Sequence, residues 1–96
     1  MTELVKIKNI IESWKKYLSD KYNITQIGCF GSFARGEENE NSDIDLLVKF
    51  SEPIGWEFIE LKEFLEKILK RSVDLVTEPA LKPSLRETIL NEVKFL

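Results

Sequence analysis

Leu4, Ile7, Ile10, Ile11, Trp14 and Leu18 recur at helical spacing, with Lys6, Lys8, Glu12, Lys15 and Lys16 filling the other side. This pattern predicts an amphipathic first helix from about residue 3 to Leu18 and a break over Ser19 to Asn23. Ile24 to Phe30, ITQIGCF, is rich in β-branched and aromatic residues and reads as a strand closed by Gly31-Ser32. Phe33 to Gly36 suffices for a single helical turn, and Glu37 to Ser42 is a polar loop.

The second strand, Asp43 to Phe50, reads DIDLLVKF. At a period of two, Asp43, Asp45, Leu47 and Lys49 share one face, while Ile44, Leu46, Val48 and Phe50 share the other and belong on the core. Beyond Pro53 and Gly55, the apolar stripe of Phe58, Leu61, Leu65 and Ile68 predicts a helix over Trp56 to Lys70. Val73 to Val76 is a short third strand, Glu78 to Pro83 a loop with two prolines, and Leu85, Ile89 and Val93 mark a last helix. The link between the first two strands is too short for a parallel crossover, which makes them antiparallel; the helix before the third strand is long enough for one. The expected fold is α+β: a small mixed sheet of three core strands with helices packed on one face.

Composition narrows the functional classes. Ninety-six residues with 43% hydrophobic content fit one domain, residues 1–96. Seventeen acids against fourteen bases leave a net charge of −3, so there is no broad positive surface and no direct nucleic acid binding is expected. The charged N-terminus has no apolar run of signal or membrane length, and a single cysteine, Cys29, excludes an intrachain disulfide. These features point to a cytoplasmic protein with no membrane partner. The chain contains no histidine, which removes imidazole acid–base chemistry and histidine zinc sites. Chemistry here must run on carboxylates.

Asp43 and Asp45 project to the same side of an extended backbone, about 7 Å apart along the strand. Brought to about 4 Å, two such charges repel by roughly 4 kcal/mol at an effective dielectric of 20, so a cation belongs between them. An all-oxygen ligand set suits Mg²⁺, with Mn²⁺ able to substitute. Magnesium held by one or two carboxylates completes its shell with waters and substrate phosphates. The Gly31-Ser32 pair, at a strand-to-helix turn, offers backbone N–H groups and a hydroxyl to a phosphate. Asp74, in VDLV, comes level with the Asp pair if the third strand lies beside the second. Three carboxylates then suffice for two metal ions and in-line phosphoryl transfer, with Asp74 placed to accept the proton of an attacking hydroxyl.

At these residues the sequence resembles the minimal (MntA-like) nucleotidyltransferase family, small relatives of DNA polymerase β and kanamycin nucleotidyltransferase. The family pattern is Gly-Ser, about ten residues, Asp-x-Asp opening an apolar strand, and a later strand acid. Here it is Gly31-Ser32, Asp43-Ile44-Asp45 and Asp74, within GSFARGEENENSDIDLLV. The resemblance spans about Ile24 to Val93 and is far more specific than a lone Asp-x-Asp. It implies metal-dependent transfer of AMP from ATP to an acceptor, with Gly31 and Ser32 on the triphosphate, Asp43, Asp45 and Asp74 on the metals, and Asp74 as base. It also implies a partner, because many such proteins are antitoxins of a helical HEPN ribonuclease toxin, and some add AMP to a tyrosine of that toxin.

The same residues admit plainer roles. Asp43 suits a turn, Asp45 and Asp74 suit solvated strand positions, Arg35 suits a salt bridge with Glu37 or Glu38, and Cys29 suits a small buried apolar residue. A second functional class also fits: a non-catalytic antitoxin that silences a HEPN ribonuclease by covering it.

Overall fold

The computed structural model describes residues 2–96. Its elements are α1 (Glu3–Ser13), α2 (Lys15–Tyr22), β1 (Ile24–Phe30), α3 (Gly31–Arg35), β2 (Ile44–Phe50), α4 (Glu57–Leu69), β3 (Val73–Thr77), a 3₁₀ turn (Glu78–Ala80), α5 (Pro83–Glu92) and β4 (Lys94–Phe95). The sheet runs in the order β3-β2-β1-β4. β1 and β2 are antiparallel and β2 and β3 parallel, as the connection lengths require. The class is the expected mixed α+β sheet, with a fourth strand added. β4 is two residues long, pairing Gly28 with Phe95 and Cys29 with Lys94, too short to carry an alternation of its own.

The first helix is two. Trp14 leaves helical geometry at φ −108°, ψ 6°, and the Ser13 hydroxyl donates back to the Ile10 carbonyl at 2.6 Å, a bond that bends helices. The Trp14 ring then meets Phe64 of α4 edge-on at 5.1 Å. α2 continues through the expected break to Tyr22, which is buried, and stops at Asn23 in the left-handed conformation.

Ile44, Leu46 and Val48 of β2 are buried with Ile7, Ile11 and Leu18 of the first two helices and Leu61 and Leu65 of α4, forming one core on one face of the sheet. Cys29 lies in this core, and burial pushes its thiol up to about 12, so it behaves as an apolar residue. The last helix does not join the others. Gly28 and Leu47 are direct partners across β1 and β2, so they share a face, and a Cβ on Gly28 would lie 2.6 Å from Val93. The C-terminal end of α5 therefore lies against the face that carries Leu47 and the acids, which explains why Leu47 is buried despite its place beside Asp45.

Candidate active site

Parallel pairing of β2 and β3 makes Asp45 and Asp74 direct register partners, and the β1–β2 ladder sets Phe30, the residue before Gly31, opposite Asp45. The strand ends thus bring Gly31, Asp45 and Asp74 to one edge of the sheet. Asp43 lies one residue ahead of β2 and is exposed, Asp74 is exposed, and Asp45 is half-buried. Among the described residues, no group of three or more carboxylate or thiol side chains stands close enough together to hold a metal ion. What the register supplies is proximity of charge.

Asp45 carries the electrostatic signature. Its carboxyl is pushed up to about 6, first by burial, then by the negative charges of Asp74 and Asp43 and more weakly Glu92, with Arg35 pulling the other way. Burial and like charge in one group mark a functional candidate. Gly31 is built around this carboxylate: it adopts φ +74°, and a Cβ there would fall 2.1 Å from Asp45 Oδ2. Any side chain at position 31 would thus displace the acid.

Two residues outside the sequence motif complete the edge. Glu92, at the end of α5, accepts the Gly31 N–H at 2.8 Å through one oxygen and the Arg35 guanidinium at 2.5 Å through the other. Burial raises the Glu92 carboxyl, but those two donors outweigh it and hold the group below the usual range. Arg35 also bonds Glu37 at 2.6 Å, so the expected Glu37 salt bridge forms and a second, remote one accompanies it. Arg71, just before β3, donates from one nitrogen to the carbonyls of Asn39 and Ser42, both at 3.0 Å, and of Glu40 at 3.4 Å. Neither residue has a local sequence signal, since each acts across 29 or more positions. Lys49, on the same strand face as the acids, pairs with Glu78 at 3.8 Å.

The groups that add negative charge at Asp45 beyond its burial, chiefly Asp74 and Asp43, are carboxylates, and that charge is what a bound divalent ion would relieve. The residues fit Mg²⁺ on both counts. No helix among the described residues is long and apolar enough to cross a membrane.

The sequence model of the nucleotidyltransferase domain family matches residues 8–96. The protein adenylyltransferase MntA of Thermococcus cleftensis is 43% identical over an alignment of 97 residues, covering 100% of this chain and 98% of that protein. A solved structure described as a minimal nucleotidyltransferase superposes with a TM-score of 0.82 at 38% identity, over 100% of this chain and 97% of the other. A chain of a toxin–antitoxin complex crystallised with AMP-PNP is 29% identical with a TM-score of 0.72, over 91% of this chain and 69% of that one.

Proposed function

The chain belongs to the nucleotidyltransferase domain family, in its minimal MntA-like branch, and on that premise we propose that it transfers AMP from ATP to a hydroxyl of a protein acceptor. The acceptor we favour is the tyrosine of a HEPN-domain toxin, because AMP-PNP and a toxin partner are both found with a structural relative. The observation that carries the reading is Asp45: set opposite Asp74, packed on Gly31, with a carboxyl raised by burial and by the neighbouring acids Asp74 and Asp43.

In this reading Asp43, Asp45 and Asp74 hold Mg²⁺. The ion would supply charge neutralisation on the triphosphate. Ser32, at the start of α3, presents its hydroxyl and N–H to the phosphates, while Gly31 serves a phosphate only after Glu92 releases its N–H. The acceptor oxygen attacks the α-phosphorus, the bond from that phosphorus to the bridging oxygen breaks, and pyrophosphate leaves. Asp74, an exposed acid on β3, takes the hydroxyl proton.

The test is incubation with α-labelled ATP, Mg²⁺ and the HEPN toxin. Label should appear on the toxin and disappear with a chelator. Neutralised toxin that carries no label would instead establish the non-catalytic antitoxin.

The raised Asp45 carboxyl also fixes a pH dependence. A proton and Mg²⁺ compete for this group, so metal affinity should climb about tenfold between about pH 5 and pH 7 and level off above, where an ordinary carboxylate would already be ionised. Mg²⁺ titrations at the two pH values check it; equal affinities would mean that Asp45 is not a ligand.

A further inference from the structure

Arg71 makes no ion pair among the described residues. Its charge goes to three main-chain carbonyls of one loop, Asn39, Glu40 and Ser42, and its guanidinium carbon lies 5.1 Å from the centre of the Phe33 ring. Each partner belongs to a different part of the candidate site. Phe33 is in α3, directly after Gly31-Ser32. Ser42 directly precedes Asp43 at the mouth of β2. Arg71 itself stands three positions before Asp74, and the adjacent Ser72 carbonyl accepts the Ile44 N–H at 2.9 Å.

The loop's own bonds are local: Ser42 N–H to the Asn39 carbonyl, Asn39 N–H to the Ser42 hydroxyl, and Asn41 N–H to the Asn39 side chain. They shape the turn without attaching it to anything. Among the described residues, the side-chain bonds from Arg71 are what tie Asn39 to Ser42 to the start of β3, and a lysine ammonium, lacking the flat delocalised guanidinium, would not bond the loop from one end while lying against Phe33 in the same way.

We propose that Arg71 is a positioning residue for nucleotidyl transfer, clasping the 39–42 loop against Phe33 so that Asp43 and Asp45 are held relative to Asp74 and the Gly31-Ser32 turn. The proposal rests on the nucleotidyltransferase reading of the site. A misplacement of about 1 Å in such an array is enough to cost about a hundredfold in rate, so the clasp matters beyond the stability of its hydrogen bonds.

The test uses the full chain with Arg71→Lys and Arg71→Ala, measuring thermal melting and the Mg²⁺ dependence of AMP-PNP binding. Both variants should stay folded, with Arg71→Lys melting close to wild type, and both should need about tenfold more Mg²⁺ for half-saturation. A role confined to stability would lower the melting point and leave the Mg²⁺ requirement unchanged, which overturns the proposal. Full rescue by lysine also overturns it, because charge alone would then suffice. If wild type itself fails to bind AMP-PNP with Mg²⁺, the reading of the site falls and the role of Arg71 with it; wild-type binding matched by both variants removes Arg71 alone.

Discussion

Asp45→Asn should abolish AMP transfer and, at neutral pH, raise the melting temperature of the metal-free protein. The two effects share one cause. The Asp45 carboxyl is pushed up to about 6 by burial and by Asp74 and Asp43, so its ionised form is disfavoured in the fold. A carboxyl raised in the folded state contributes stability that is present below the unfolded value, 3.8, and lost as pH rises through about 6. At pH 7 the wild type holds that charge against its neighbours, and asparagine does not. Solvent screening at a half-exposed group reduces the gain to about 1 kcal/mol, or a rise of about 4–8 °C in melting temperature for a domain of this size. At about pH 4 the two proteins should melt together. Transfer should fall about a thousandfold or more, since a metal site contributes several kcal/mol to the reaction. Retained transfer would remove Asp45 from the site, and equal melting at neutral pH would remove the repulsion.

Gly31→Ala should lose both stability and transfer, while Gly36→Ala should lose only a little stability. Both glycines sit at positive φ, +74° and +72°, where a side chain costs about 1 kcal/mol. They differ in their surroundings. A Cβ at position 31 would meet Asp45 Oδ2 at 2.1 Å, whereas one at position 36 finds nothing within 4 Å. Gly31→Ala must therefore move the Asp45 carboxylate or the α3 turn, and the Glu92 bond to the Gly31 N–H is strained with it. We expect about 2–3 kcal/mol of destabilisation and a loss of transfer of about a hundredfold or more. Gly36→Ala isolates the conformational penalty, about 1 kcal/mol, with transfer near wild type. Chemical denaturation and the labelling assay separate the two; equal damage from both would mean that the Gly31–Asp45 contact is irrelevant.

The legible parts of this fold are those with a local cause. DIDLLVKF alternates, so its acid face and its core face follow from the period of a strand, and Ile44, Leu46 and Val48 are buried as that period requires. The antiparallel and parallel pairings follow from the lengths of two connections. Trp14 defied its pattern because the helical spacing of Leu4 to Leu18 survives a bend: Ile11 and Leu18 both reach the core although the backbone breaks between them. The candidate site divides in the same way. Gly31, Ser32, Asp43 and Asp45 stand within one short segment and announce themselves, while Glu92 contacts Gly31 from 61 positions away and Arg71 reaches Asn39 from 32.

By itself, then, the sequence determined the three longer strands, most of the helical stretches, the face on which the acids stand and the exclusion of imidazole chemistry in a chain without histidine, because periodicity and residue type act over a few neighbours. Only the tertiary structure decided that α5 turns to the acid face, that a two-residue strand joins the sheet, that Asp45 is raised by burial and by Asp74, and that Glu92 and Arg71 fasten the turn and the loop around it. Those are contacts between segments far apart in the chain, fixed by how the elements pack, and no window along the sequence contains both partners.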